Sequence, residues 1–420
     1  MNNPTLSNEA EKPIPDIRKI IKDIIISRGD EVDKWFEDIS EKTPPFFYNS
    51  VDLRNSGFKL APVDTNLFPA GFNNLNETER KKAEKTTKEF FAKYHPKVKK
   101  ILIVAEDHTR NVYYLENIAY LTSIIKGAGL QVCTTNLATS ESGEDVTLKS
   151  ASDMDVIFKP AIRDGNRVKT KCGFDPDFIL VNNDLTDGAP ELLKDVEQIV
   201  SPPVGFGWYR RRKTSHFETY NNMARDFSNK FNIDPWLITT YFQRCGVVDF
   251  KERKGIECVA LRVDKTIDKI KAKYDEYGIK EEPYVFIKSV RGTYGMGIMT
   301  ASSGDEVFEM SKKIRNKMNT IKGGIQNTEV IIQEGVPTID EVEGHPAEPM
   351  IYMIGAKPAG CIYRLNTQKD SYGNLNAKGM GFASISSHTN DKQVCDSLGL
   401  ISRIASHAAA WECYEEIYSI

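Results

Sequence analysis

The stretch YVFIKSVRGTYGMGIMTA, from Tyr284 to Ala301, constrains this chain more than any other. VFIK has the apolar character of a strand, RGTYGMG that of a turn, and IMTA that of the returning strand. Glycines at 292, 295 and 297 remove side chains, so backbone N–H groups can come close to a polyphosphate. The order G-x-x-G-x-G is neither the dinucleotide-binding order nor the P-loop order, and a loop between antiparallel strands differs from their strand-to-helix setting. Lys288 stands on the incoming strand, where its ammonium can follow the loop toward phosphate. A purely structural hairpin accounts for the glycines equally well, so the weight falls on what surrounds them.

Three downstream segments add to the pattern. TEVIIQEGV reads as an apolar strand ending in Gln333-Glu334-Gly335, with hydrogen-bonding groups where an adenine edge could be read. EPMIYMIGAKPAGCIYRLN reads as a hairpin turning at Gly355–Pro358; Glu348 begins its first strand, and Arg364 and Asn366 end its second. SYGNLNAKGMGF is a second glycine-and-amide loop, holding Asn374, Asn376, Gly379 and Gly381. A cation, an oxygen ligand for a hard metal and two anion-cradling loops thus fall on one β-rich unit. Magnesium with a nucleotide needs those groups: oxygens on the ion, cations on the phosphates.

Upstream, the texture differs. After a polar arm, IRKIIKDIIISRGDEVDKWFEDIS reads as an amphipathic helix with Ile17, Ile20, Ile21, Ile24 and Ile25 at helical spacing, ended by Pro44 and Pro45. Residues 47–75 mix amides, charges and aromatics without a clean period, which is loop and short-strand texture. Arg80 to Lys100 reads as a solvated helix, interrupted by Glu84 and Glu89. KILIVAEDH, NIAYLTSIIKGAGL, QVCTTNL and DFILVNNDL then give strand, helix, strand, strand, the rhythm of a parallel α/β layer. Ligands collect at the carboxyl ends of such strands, here Glu106, His108, Thr109 and Arg110 on one and Asn182, Asn183 and Asp184 on another. GFGWYRRRKTSHF is a basic patch that reads as an anion site or as a solvated turn. Helical segments follow to about residue 280, strands from 284, and a packing helix closes the chain at AAAWECYEEIYSI.

At 420 residues the chain exceeds one ordinary core, and three units are expected. They are a helical arm (1–45), an α/β substrate-binding domain (46–235) and a nucleotide domain (236–420), the last with a glycine-loop lid at about 284–335 and a catalytic hairpin at about 346–382. The fold class is α/β and α+β. Twenty Phe, 17 Tyr and 4 Trp argue against disorder. Lys and Arg number 56 against 59 Asp and Glu, net −3, so there is no broad basic field for nucleic acid. No apolar run approaches the ~20 residues that span a bilayer. The opening MNNPTLSNEAEKPIPD lacks the features of a secretory signal, so a cytoplasmic location is expected. Seven cysteines lie scattered with no C-x-x-C, which reads as reduced thiols of structural or incidental role.

The order of lysine strand, glycine loop, strand ending Q-E, hairpin with terminal arginine and N-L-x-x-x-G loop resembles the ATP-grasp superfamily. Within it, SVDLRNSGFKLAPVDTNLFPAGFNNL, VRGTYGMGIMT, EVIIQEGV and YRLN with NLNAKG resemble the proteobacterial-type glutamate–cysteine ligase. These stretches run from about residue 46 to 382. The sequence departs from the wider superfamily in two places. Glu348-Pro349-Met350 keeps the carboxylate of D-x-R but not its arginine, and residues 383–420 contain no E-x-N.

The resemblance implies an ATP-grasp-like domain that joins the γ-carboxylate of glutamate to the amine of cysteine through an acyl phosphate, the first step of glutathione synthesis. It implies ATP and Mg2+ as cofactors and small-molecule partners. Lys288 would sit on the phosphates, with Gly292, Thr293, Tyr294, Gly295 and Gly297 closing over them. Gln333 and Glu334 would lie near adenine or ribose, Glu348 and Asn366 on magnesium, and Arg364 on the phosphoryl group in flight; Arg364, Lys288 and Asn366 form the catalytic set. Glutamate and cysteine are expected among Arg54, Asn55, Asp64, Asn66, Asn73, Asn74, Arg110 and Asn182, with Asn374 and Asn376 near the reacting carboxylate. Two other readings stand beside this one: a related ligase such as glutathione synthetase, and a nucleotide-binding module without catalysis.

Overall fold

A computed structural model describes residues 12–107, 110–291, 297–319, 327–385 and 392–418. Helix α1 (Ile17–Lys42) is capped by Asp16, whose carboxylate accepts from Lys19 N–H. Ile17, Ile21 and Ile24 are buried, and Ile20 and Ile25 pack half-buried against the same core, so the isoleucine stripe is the inward face. That core also holds Val51, Phe250, Ile287 and Ile351. The arm is therefore built into the fold rather than attached to it.

Strands β1 (Tyr48–Asn55) and β2 (Leu60–Asn66) follow. Helix α2 (Glu77–Tyr94) opens with a capping box between Asn76 and Glu79 and stops before Pro96, shorter than the charge pattern predicts. Next come β3 (Lys100–Ala105), α3 (Val112–Gly127), β4 (Gln131–Asn136), α4 (Leu137–Ser142), β5 (Val146–Lys149) and β6 (Asp155–Phe158). A small hairpin of β7 (Ala161–Asp164) and β8 (Arg167–Thr170) precedes β9 (Phe178–Asn182) and β10 (Ile199–Ser201). The order β10-β9-β3-β4-β6 is parallel, with β5 antiparallel at one edge. This is the predicted α/β layer, and β9 is buried along its length, as an unbroken apolar run requires when both faces are covered.

Helices α5 (Lys213–Phe231) and α6 (Ile256–Glu276) flank β11 (Phe242–Gly246), a strand where only helix was expected. It pairs with β14 (Glu329–Glu334), Phe242 opposite Gln333, in the antiparallel order β11-β14-β12-β13. Here β12 (Val285–Ser289) and β13 (Ile298–Ala301) flank the glycine loop as predicted. The short β15 (Glu341–Val342) leads into the hairpin of β16 (His345–Ile354) and β17 (Lys357–Asn366), and β18 (Met380–Ser384) follows.

That hairpin does not stand with the glycine-loop sheet. It forms a separate antiparallel sheet, β18-β17-β16-β1-β2, so strands from residues 48–66 pair directly with strands from the last quarter of the chain. Mixed loop and short-strand texture was expected for 47–75, without bounds for the strands, and a linear boundary at 235/236 cuts across this sheet. The physical reason is its position between two cores. Val51, Ile351 and Met353 face one core, and Tyr48, Tyr352 and Ile354 face the other. Polar residues on these strands are thereby buried against one another, which erases the period of two that marks a half-exposed strand.

Candidate active site

Register places the charges. Glu348 lies opposite Arg364 across β16 and β17, and Asp52 lies opposite Asp64 across β1 and β2. Arg364 Nη1 donates to Asp52 Oδ2 and to Glu348 Oε1, both at 2.7 Å. Arg54 Nε donates to the other oxygen of Glu348 at 2.6 Å. Both Glu348 oxygens are thus held by guanidiniums. Asp64 Oδ1 accepts from Lys213 Nζ, while Asp52 Oδ1 and Asp64 Oδ2 have no protein partner among the described residues. Arg364 is 7% exposed, and its Nε is buried without a hydrogen-bond acceptor.

The three carboxylates are not equivalent. Burial would raise Glu348, but Arg54 and Arg364 together hold it below the usual carboxylate range. Asp52 also loses solvation and faces the charges of Glu348 and Asp64; these outweigh the bonded Arg364, and its pKa goes up. Asp64 is half-buried and also loses solvation, yet Lys213 and Lys288 win and its pKa goes down.

Lys288 comes to this row from the neighbouring sheet. Its Nζ donates to Val63 O at 2.9 Å, next to Asp64. Burial first, then the charge of Lys213, pushes its pKa down to about 7. Register sets Lys288 opposite Ile331 and Phe286 opposite Gln333, so Gln333 shares the face of Lys288. Gln333 Nε2 donates to Thr240 Oγ1 at 2.9 Å, while its Oε1 is buried and unpartnered. Of the glycine loop, Gly297 is described, with φ +60°; Gly292, Thr293, Tyr294 and Gly295 lie outside the described residues.

Glu334, one residue on, points the other way. Its Oε1 accepts from Trp236 Nε1 at 2.9 Å and from the Lys59 ammonium, and its Oε2 accepts from Tyr241 N–H at 2.8 Å. Lys59 is 1% exposed, and burial pushes its pKa down to about 8 despite this counter-charge. Glu334→Gln is therefore expected to destabilise the protein by about 3–5 kcal/mol, because it strands a buried ammonium. Urea unfolding reads the change; a loss under ~1 kcal/mol would show the pair to be dispensable.

The second loop is gripped from below. Asn366 Nδ2 lies within reach of the carbonyls of Leu375, Ala377 and Lys378 at 3.0–3.3 Å, and its Oδ1 accepts from Gln368 N–H at 2.8 Å. Arg54 adds bonds to Ser371 O at 3.0 Å and Gly373 O at 2.7 Å. Asn374 Oδ1 accepts from Asn376 N–H, a local turn. Gly379 has φ +93°, and a Cβ there would stand 2.9 Å from Gln368 Cγ, so glycine is required on both counts.

The remaining expected residues are dispersed. Asn55 is buried and donates to the carboxylate of Asp340. Asn66 makes a turn to Phe68 N–H; Asn73 and Asn74 lie half-buried on a short 3-10 turn, where Asn74 bonds the Tyr352 hydroxyl. Asn182 is enclosed, donating to Tyr48 Oη and Pro69 O at 2.8 Å and accepting from Asn117 Nδ2. Arg110 is exposed at the entry to α3. The basic patch is neither a solvated turn nor an open site. Arg211 is buried between Glu412 and Thr65 O, Lys213 holds Asp64, and Arg212 bonds Glu329. Asp52 was not singled out in the sequence and Lys213 only as part of the basic patch; strand register and packing reveal their partners.

A sheet carrying alternating carboxylates and guanidiniums, faced by a buried lysine from a glycine-loop strand, is an arrangement suited to a ligase that handles anionic substrates. The chain belongs to the glutamate–cysteine ligase family, whose model matches residues 22–413. Its activity is that of a glutamate–cysteine ligase, and ligases of this kind use ATP and small-molecule substrates. A crystal structure from Methylobacillus flagellatus KT, provisionally assigned as a gamma-glutamylcysteine synthetase, is 37% identical. The match covers 99% of this chain and 100% of that one, with a TM-score of 0.86. A glutathione synthetase-like effector from Globodera pallida is 9% identical over 88% of this chain and 79% of its own, with a TM-score of 0.38. D-alanyl-alanine synthetase A from Vibrio cholerae is 10% identical over 76% and 81%, with a TM-score of 0.32. Likenesses so slight say nothing about chemistry here. No curated protein matches the sequence. Among the described residues, no helix is long and apolar enough to cross a membrane.

Proposed function

We propose that the cluster of Asp52, Arg54, Asp64, Lys288, Glu348 and Arg364 is where ATP, glutamate and cysteine meet. A carboxylate resists attack by an amine because its oxide is a poor leaving group. Transfer of the γ-phosphoryl of ATP to the γ-carboxylate of glutamate releases ADP and gives an acyl phosphate. Cysteine nitrogen then attacks the acyl carbon, the C–O bond to phosphate breaks, and phosphate departs with the electron pair and the proton shed by nitrogen. Lys288 holds the phosphates, and Arg364 faces the group as its charge develops. Gln333 Oε1 is a free acceptor on the same face as Lys288, suited to an adenine amino group. The observation that carries this reading is the buried, unpartnered Nε of Arg364, an idle donor among carboxylates that a ligand anion would engage.

Magnesium fits the same place, though through neither of the residues first expected, Glu348 and Asn366. Asn366 Oδ1 is occupied by Gln368 N–H and both Glu348 oxygens by guanidiniums. Asp52 Oδ1 and Asp64 Oδ2 are the open oxygens, on residues opposite one another. Among the described residues, no three His, Cys, Asp or Glu side chains form a metal site of their own. That suits an ion held by one or two carboxylates and shared with substrate phosphates. Once bound, magnesium would draw negative charge from those phosphates. Asp64→Asn is expected to raise the magnesium needed for half-maximal ligation about tenfold, with the KM for glutamate unchanged; the opposite pattern would make Asp64 a glutamate residue.

The reaction itself is tested by supplying ATP, magnesium, glutamate and cysteine and following γ-glutamylcysteine with ADP. Turnover confined to γ-glutamylcysteine plus glycine would reject this reading in favour of glutathione synthetase.

A further inference from the structure

The scattered cysteines of the sequence are not all isolated in space. Cys245 on β11 and Cys258 on α6 bring their sulfurs to 2.7 Å. Arg262, one turn further along α6, places Nε 3.3 Å from Cys258 Sγ and Nη1 3.2 Å from Gln243 Oε1. Cys245 is 1% exposed, whereas Cys258 is partly open to solvent. One sulfur is reachable and faces a guanidinium, and the other is sealed behind it. These are the properties of an attacking and a resolving thiol.

We propose that Cys245 and Cys258 are a reversible dithiol–disulfide site that exchanges with low-molecular-weight disulfides. In the first step the Cys258 thiolate attacks one sulfur of the small disulfide, whose S–S bond breaks and releases one thiolate. In the second, Cys245 gives up its proton and attacks Cys258 Sγ, releasing the other thiolate. The two protein thiols are oxidised by two electrons, the small disulfide is reduced by the same two, and the two protons end on the two small thiols. The hydrogen bond from Cys245 and the Arg262 guanidinium both pull the Cys258 pKa down, while burial pushes that of Cys245 up, which assigns the order of attack. The bridge ties the edge strand of the Lys288 sheet to the helix that covers it.

A second pair supplies an internal comparison. Cys361 on β17 and Cys395 on the C-terminal helix (Lys392–Tyr418) also share a hydrogen bond. Cys361 is buried, and Lys82 near these sulfurs is offset by Glu79. It should react more slowly.

The test uses the full chain, equilibrated with oxidised glutathione, alkylated and mapped by mass spectrometry. The expected result is a Cys245–Cys258 bridge that forms first and is reversed by dithiothreitol. Cys245→Ser should stop at a glutathione adduct on Cys258, and Cys258→Ser should leave Cys245 unmodified. Full alkylation of both thiols in the unsubstituted protein, or a bridge confined to Cys361 and Cys395, overturns the proposal.

Discussion

Arg364→Ala is expected to lower ligation by about 10²-fold or more while ATP still binds. Among the described residues, the guanidinium is the one cation bonded to Asp52 and one of two bonded to Glu348. Its Nε remains free, so the group keeps donor capacity in reserve for a charge that appears during reaction. Removing it leaves Asp52 beside Glu348 and Asp64 without its bonded cation, and the site loses the positive charge aimed at the transferring phosphoryl. The same loss threatens the fold, since breaking a buried pair costs about 3–5 kcal/mol. Arg364→Lys separates the two effects. It keeps a cation for the carboxylates but not the planar fork, so the protein should stay folded by thermal unfolding while ligation remains well below that of the unsubstituted chain. Unchanged ligation in either variant would remove Arg364 from the mechanism.

How far this site could be read from sequence depended on which force fixed each part. The glycine-loop strands, the hairpin and the parallel layer carry continuous apolar runs punctuated by glycine and proline, and these signals are local. The isoleucine stripe of α1 is local as well, and it packs as its spacing implies. β1 and β2 read only as mixed loop and short-strand texture because Asp52, Arg54, Asp64 and Thr65 satisfy one another or distant groups inside the protein. A polar residue whose partner lies some 300 positions away looks solvated in a sequence window; Arg54 and Glu348 are separated by 294 residues. Glu334 shows a different limit of reading by adjacency. It adjoins Gln333 in the chain, but alternation along β14 turns it toward Lys59 and Trp236. The cysteine pairs were invisible for the same reason as the ion pairs, because strand register and helix packing bring together what spacing keeps apart.

Lys288→Met is expected to weaken ATP binding strongly while making the ligand-free protein more stable, and pH separates the two effects. In the folded protein burial and Lys213 push the Lys288 pKa down to about 7, against an unfolded value of 10.5. Between those values the unfolded chain holds a proton that the folded chain has lost, so stability rises with pH across that window. Below about pH 7 the folded protein carries the full cost of a buried ammonium, a few kcal/mol by the size of the shift. Methionine keeps the stem without the charge, so its stabilising effect should be greatest below pH 7 and fade toward pH 10.5. Nucleotide binding has the reverse dependence. A triphosphate favours the ammonium, so binding above pH 7 must take up a proton at Lys288, and affinity should fall by nearly tenfold per pH unit between about pH 8 and 9. Calorimetry in buffers of different ionisation enthalpy reads that proton directly. In Lys288→Met the uptake and the steep pH dependence should both vanish. If the variant binds ATP as tightly as the parent and with the same proton uptake, Lys288 does not touch phosphate and the glycine-loop strand has another task.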